Sequence, residues 1–361
     1  MVFLAGALPG LAALIALLFT WVSVGQTAQE LRIAEQGQLT DRFSVAVQNL
    51  GARPMDVRLG GIYALQRIMQ DSSRDHATVV AVLSAFVREH SRDGPNATRD
   101  GPPPTDIAAA LGVLAARPHD GAQDAVVDLR QANLRGLSMV TPNLEGANFA
   151  GADLSGALLK SPRLREADFS GAKLVGATIT ERERTELHDF PPRADLSGAN
   201  FRHADLTDAD LSFAEMPGAV FHGANLTGAQ FNGAQLNDAG LGEGVSFGTP
   251  PPPANLTGAS LNGANLRGAN LVRANLTAVD LGTADLRNAE VRKANLTGAH
   301  LGGADLRKAN LKGADLTGAD LSGADLRDAD LTGSNFTGAD LTGVQRAGAK
   351  GLPPPGPAGG S

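Results

Sequence analysis

The sequence predicts a mainly β solenoid, preceded by a small α-helical segment and one transmembrane helix, and three observations predict it. A five-residue phrase, Ala-(Asp/Asn)-Leu-(Ser/Thr/Arg)-Gly, recurs almost without interruption from Ala254 to Leu341. Phe replaces the central Leu at Phe149 and Phe169, and again at Phe201 and Phe221, each pair twenty positions apart. The first charged residue is Glu30, and Val2 to Val24 is apolar apart from Thr20 and Ser23.

The apolar start comes first. At 1.5 Å per residue, roughly 23 residues reach about 35 Å, enough for a hydrocarbon core of about 30 Å. Residues 1–25 are therefore expected to form a membrane-spanning helix, with Trp21 near its end, where an indole favours the interface. A secretory signal peptide is the competing reading, but the charged n-region is missing and the apolar run is long for one. Arg32 and Arg42 follow the span and no cation precedes it, which orients the remainder toward the cytoplasm. A single-pass protein with a cytoplasmic repeat region is the expectation.

Residues 26–117 read as a helical juxtamembrane domain. Leu39, Phe43, Val47 and Leu50 recur at helical spacing, and Gly51 closes that helix. A second helix follows Pro54, with Val57, Ile62, Leu65, Ile68 and Met69 on one side. A third runs from Asp75, a good N-cap, to Arg88. Residues 91–104 are rich in Gly, Pro and Asp and read as a loop. A fourth helix begins near Thr105-Asp106, carries Ile107, Ala110, Leu111 and Leu114, and ends by Pro118. Four short amphipathic helices make a compact bundle or a pair of hairpins. Arg58 is read as an ordinary surface charge and Tyr63 as a half-buried ring, against a partner-binding role for the second helix.

Residues 118–126 read as a linker, and residues 127–346 carry the repeats. Neither a helix at 3.6 residues per turn nor a strand at 2.0 keeps a Leu at every fifth position on one face. The chain must turn at each repeat and stack its turns. In a run such as Ala314-Asp315-Leu316-Thr317-Gly318 the Leu points inward, and so does the Ala two residues before it. The Asp or Asn between them is expected to bond backbone groups of the adjacent turn. The Gly supplies dihedrals that a Cβ would resist. Four repeats per coil would stack each Phe pair on one face.

These repeats resemble the pentapeptide repeat family. The resemblance implies a right-handed quadrilateral parallel β-helix with about four repeats per coil. The stretch Asp56-Val57-Arg58-Leu59-Gly60-Gly61-Ile62-Tyr63-Ala64-Leu65 is similar to helical segments that precede such repeats in membrane-tethered bacterial proteins, and more faintly to a HEAT-type hairpin.

Two interruptions break the repeat. Leu196 falls seventeen residues after Ile179, which is not a multiple of five, so a loop is expected over 181–193. Leu256 falls fifteen after Leu241, so the register is expected to survive the proline-rich break at 242–253. About ten coils at a spacing of about 4.8 Å give a column roughly 47 Å long. Each buried Leu contributes on the order of 1.5–3 kcal/mol before chain entropy is charged against it. The N-terminal coil must be covered, and the fourth helix is placed to do so. At the other end residues 347–361 form a Gly/Pro-rich tail expected to be disordered. The final coil is a candidate homodimer surface, and a tail draped over it is the alternative.

With 361 residues, 44 Gly and 4% aromatics, the chain suits a thin column filled by Leu and Ala. Its net charge of −7 provides no general basic surface for nucleic acid, and the absence of Cys removes thiolate and Cys-type zinc chemistry. The carboxylates sit at fixed repeat slots, as Asp305, Asp315, Asp320, Asp325, Asp330 and Asp340 do. His188, His203, His222 and His300 show no metal spacing. No phosphate loop, dinucleotide fingerprint or nucleophile elbow appears. No catalytic, cofactor-binding or metal residue is assigned. The function expected is a non-enzymatic, membrane-anchored scaffold for an unidentified protein partner. The alternative is a DNA mimic that modulates DNA gyrase, in which Asp320, Asp325, Asp328 and Asp330 imitate phosphates, as the resemblance to quinolone-resistance members implies.

Overall fold

The structure, a computed structural model, describes residues 7–93, 101–117, 125–181, 193–243 and 250–354. The chain divides into two compact units, Met1–Val79 and Val80–Ser361.

In the first unit, α1 (Ala7–Leu50) runs without a break past the boundary expected at residue 25 and takes in what the spacing read as a separate helix. No proline follows Pro9 in α1 and Gly37 meets no neighbour, so nothing local interrupts the hydrogen-bond ladder. The membrane-spanning helix expected over 1–25 is corrected accordingly: among the described residues no helix is long and apolar enough to cross a membrane. Residues 1–6, and the side chains from 7 to 16, lie outside the described residues, and beyond residue 29 the helix enters charged sequence.

The second helix, α2 (Met55–Asp71), packs on α1 and buries Ile62, Leu65, Ile68 and Met69. Val57, expected on that face, is exposed. Gly61 lets the two helices approach: a Cβ there would stand 2.7 Å from the Ala46 carbonyl oxygen. Arg58 is more than a surface charge, since its Nη1 donates to the carbonyls of Ala52 (3.1 Å) and Arg53 (2.7 Å) and ties down the α1–α2 turn. Tyr63 is exposed rather than half-buried.

The helix α3 (His76–Asp93) begins in the first unit and continues into the second, where α4 (Thr105–Ala115) and the repeats follow. Residue partners across coils lie twenty apart, as in Asp285↔Asp305, so four five-residue repeats make one coil. Among the described residues only β1 (Ser138–Val140), β2 (Leu158–Lys160) and β3 (Thr178–Thr180) are extended enough to count as strands, and they pair in parallel. Elsewhere each repeat contributes a single bridging residue. The expectation of a mainly β chain is thus corrected: the column is built from isolated bridges more than from strands, and the chain is not strongly mainly β. A five-residue repeat that spends its last residues on a turn has room for one ladder position. In each turn the residue two after the central Leu takes a left-handed conformation, as Gly298 does at φ +64° and Ala278 at φ +53°.

The interior is a file of Leu with Ala at the corners, buried from Val127 to Leu331. Phe149, Phe169, Phe201 and Phe221 stack in one line with centroids 4.8, 5.0 and 4.9 Å apart, and Phe231 meets Phe221 edge-on. Across the first interruption bridge partners such as Asp168↔Asn200 lie 32 apart, so twelve residues leave the coil and the next one resumes in register. Across the second, Asn225↔Asn255 lie 30 apart: ten residues leave the coil. The register survives there because a loop is extruded, as at the first break. Residues 182–192 and 244–249 of these loops lie outside the described residues.

The first coil is covered by both α3 and α4. Ser84 Oγ accepts from the Asp128 amide and Ser91 Oγ from the Asn133 amide. Arg88 Nη1 donates to the Asp128 carbonyl (2.8 Å), and Arg92 reaches the carbonyls of Gln131 and Arg130. From the end of α4, buried Arg117 donates to the carbonyls of Leu114 and Asn143. Serines and arginines thus take the place of a missing preceding coil, satisfying edge groups that burial would otherwise leave unpaired. At the other end the column continues beyond residue 346, with Lys350 bridged to Asp330, so 347–350 belong to the rod and not to the tail. The segment expected as a linker, 118–126, is described only for 125–126.

Candidate functional site

The polar slot of each repeat is committed to building the coil. Asn255 Oδ1 accepts from the Thr257 amide and hydroxyl within its own repeat, and its Nδ2 reaches Thr227 Oγ1 in the neighbouring coil. Asn275 Nδ2 in turn donates to Asn255 Oδ1 at 2.8 Å. Across coils the Asp or Asn side chains meet other side chains more than the backbone that the sequence led one to expect; Asn270 Nδ2, which donates to the Glu243 carbonyl at 3.3 Å, does reach it. That backbone is already satisfied by pairs such as Leu256 N to Asn275 O (2.7 Å), and the side chain turns to its own repeat and to the next side chain. The four Asn-Leu-Thr sequences beginning at Asn225, Asn255, Asn275 and Asn295, which match the N-glycosylation acceptor pattern, lie in this ladder on one face.

The histidines do not converge on one site. His222 Nδ1 lies 2.7 Å from the Gly242 carbonyl, and burial lowers its pKa. His300 Nδ1 lies 2.8 Å from Asp320 Oδ2. His203 sits on a left-handed turn at φ +57°, and His188 is outside the described residues. Among the described residues no group of three or more His, Asp or Glu is placed to hold a metal ion.

The acidic series proposed for phosphate mimicry is mostly spoken for. Asp320 is held below the usual carboxylate range by the Ser322 hydroxyl, and Asp325 by Arg327. The hydroxyl of Thr332, with Lys312 Nζ at 3.0 Å, lowers Asp330 to about 2. The Asp328 carboxylate alone of the four takes no hydrogen bond or ion pair among the described residues, while its amide donates to the Ala347 carbonyl.

One surface escapes this bookkeeping. Arg267, Arg287, Arg307 and Arg327 each follow a central Leu and stand in one file on consecutive coils, because their spacing is one coil. Arg287 bends back so that Nε and Nη2 bond Asp285 at 2.8 and 2.5 Å. Arg307 grips Asp305, and Arg327 grips Asp325, in the same way. Asp305 and Asp325 also face the arginine of the preceding coil, with Arg287 Nε 3.6 Å from Asp305 and Arg307 Nε 3.5 Å from Asp325. The partner carboxylates raise the pKa of all three guanidinium groups. Lys308 and Asn288 stand at the corner beside this file, and the residues line one groove with Asp328. The triplet Asp-Leu-Arg at 285, 305 and 325 was the sequence signal for it, legible once a coil is known to be twenty residues long.

The opposite kind of surface closes the column. Phe336, Leu341 and Val344 occupy interior slots but are only half-buried, because among the described residues no further coil covers them. Arg346 takes the next slot, and its Nη1 donates to the Pro353 carbonyl at 3.0 Å, which draws residues 351–354 partly over the end.

Comparison with solved structures returns repeat proteins of low superposability. HetL, a protein involved in heterocyst differentiation regulation from the cyanobacterium Nostoc sp. strain PCC 7120, is 32% identical over 60% of this chain and 91% of its own, with a TM-score of 0.24. Rfr23 from the cyanobacterium Cyanothece 51142 is 32% identical over 34% of this chain and 86% of its own, at a TM-score of 0.22. Full-length QnrB1, a plasmid-mediated fluoroquinolone resistance protein, is 22% identical over 58% of this chain and 91% of its own, at 0.27. No curated protein matches the chain. A family model described as pentapeptide repeats matches in eight copies across residues 127–180, 193–241 and 254–345, more than half the chain. Its coil of four five-residue repeats, its Leu and Phe interior and this match together show that the chain belongs to the pentapeptide repeat family.

Proposed function

We propose that the chain is a non-enzymatic scaffold, held at a membrane by its N-terminal apolar stretch, that engages a protein partner through its repeat column. The observation that carries this reading is the open last coil. Phe336, Leu341 and Val344 stand at slots that are fully buried in the coils above them, and here they are less completely covered. Apolar interior surface left open in this way favours a protein partner, and a second copy of the chain, meeting coil end to coil end, is the simplest one. Support for the membrane attachment is separate. Leu17, Leu18, Phe19, Trp21 and Val24 on α1 are all more than half exposed, and no charge interrupts the sequence before Glu30.

The polar slots of the repeats are used to build coils, which supports a binding role over a catalytic one. The pairing of Asp320, Asp325 and Asp330 with neighbouring donors leaves the DNA-mimic alternative without a free acidic row.

The test is partner capture from membranes with the full chain, a Leu341→Asp variant and a chain lacking the repeats, together with the sedimentation mass of the first two in detergent. The reading expects partners, or self-association, that both altered chains lose. Identical partner sets and a monomer throughout would sink it. Flotation of the full chain with lipid vesicles tests the membrane attachment, which predicts co-flotation that a chain lacking residues 1–29 loses.

A further inference from the structure

We propose that the file Arg267, Arg287, Arg307, Arg327 is a binding site for an extended acidic peptide segment of a partner protein. The inference starts from which edge of each guanidinium is used. A guanidinium offers a side edge, Nε with Nη2, and an end edge, Nη1 with the second hydrogen of Nη2. In Arg287, Arg307 and Arg327 the side edge is taken by the repeat's own Asp. Among the described residues none of the three Nη1 atoms has a hydrogen-bond partner. The aspartates therefore act as positioning residues: they fix three long side chains in one orientation and leave three end edges available. That removes much of the ordering cost that a free arginine pays on binding.

The charge balance points the same way. Five cations, the four arginines with Lys308, stand among four carboxylates, Asp285, Asp305, Asp325 and Asp328, in a chain whose net charge is −7. Arg267 lies beside Asn265 instead of an aspartate, and neither it nor Lys308 forms an ion pair among the described residues. The file is a local excess of positive charge on an acidic protein, with guanidinium groups suited to planar, bidentate carboxylates.

Spacing selects the ligand. Coils about 4.8 Å apart put the first and fourth arginines about 14 Å apart. Alternate residues of an extended peptide lie on one face, and three of them span about 13–14 Å at 3.4 Å per residue. A five-residue Glu-x-Glu-x-Glu stretch thus matches the file end to end. A longer polyanion such as a nucleic acid would run past the four coils, where Asn237 and Ala347 continue the line and offer no cation to its phosphates.

This inference adds a ligand class to the scaffold reading but rests on a different face, so Leu341→Asp should leave it unchanged. The experiment is fluorescence anisotropy of a labelled five-residue Glu-Ser-Glu-Ser-Glu peptide with the full chain in detergent at low salt. Saturable binding is expected. Arg287→Gln with Arg307→Gln should weaken it about tenfold, whereas Arg273→Gln with Arg292→Gln, an equal charge change on the neighbouring face, should alter it less than about threefold. Asp328→Asn, which keeps a residue tolerant of the left-handed turn, should tighten binding about twofold and so tests the site even if the double variant misfolds. The proposal is overturned by unsaturable binding, by equal loss in the two double variants, by no response to Asp328→Asn, or by a ten-nucleotide single strand that binds tighter than the peptide.

Discussion

Phe169 and Phe201 lie face to face, with ring centroids 5.0 Å apart and planes 4° from parallel, although 32 residues separate them in sequence. The same stacking joins Phe149 to Phe169 and Phe201 to Phe221 at the ordinary distance of twenty residues. The stacking therefore keeps its spacing across an insertion of twelve residues. Excision of residues 182–193 should restore an uninterrupted coil and leave the melting temperature within a few degrees of wild type, since loop closure costs little. A large loss measured by circular dichroism would show that the loop itself holds the column together.

Within the file, truncation should be costly. Phe201→Ala removes a ring stacked on both sides, and a loss of about 3–5 kcal/mol is expected from transfer and cavity terms. Phe231→Ala loses an edge contact instead and should cost less. Urea titrations of the two variants, followed by far-ultraviolet circular dichroism, check the order.

The turns separate conformational from steric cost. Gly298 has φ +64° with open space where a Cβ would stand, so Gly298→Ala should cost about 1 kcal/mol from the left-handed conformation alone. At Gly351, φ +78°, a Cβ would lie 2.6 Å from the Leu331 carbonyl, and Gly351→Ala should disturb the end of the column. Hydrogen exchange of the Leu331 amide, which donates to Lys350 O, should rise in the second variant and not in the first.

Acid should loosen the C-terminal coils. Hydroxyl and backbone donors hold Asp315 and Asp320 below the usual carboxylate range, Arg327 does so for Asp325, and Asp330 is lowered to about 2. A depressed folded-state pKa stabilises above the unfolded value of about 3.9 and the benefit is lost as pH falls through the folded one. Melting temperature should hold from pH 7 to about 4 and fall toward pH 2. In Asp330→Asn part of that fall should vanish. A melting temperature flat down to pH 2 would contradict it.

Removing a cap should act locally. Arg117→Ala leaves the carbonyls of Leu114 and Asn143 without their charged donor, at about 1.5–3 kcal/mol. Amide exchange should accelerate in the coil around Asn143 and remain slow in coils near Leu306.

The sequence by itself determined the column. A Leu every five residues cannot lie on one face of a helix or strand, and two Phe pairs twenty apart set four repeats to a coil. The helices after Gly51 were legible too, from apolar spacing and breakers. The single helix from Ala7 to Leu50 was not, because a break in composition at residue 25 is not a break in helix propensity. Nor were Arg58, Arg88, Arg92 and Arg117, whose targets are backbone carbonyls that no side-chain pattern announces. The arginine file lay in the text as Asp-Leu-Arg at 285, 305 and 325. Only the tertiary structure decided that these triplets stack, which edge of each guanidinium is used, and how the interruptions are absorbed, because neighbours across coils are set by hydrogen-bond register between residues twenty or more apart.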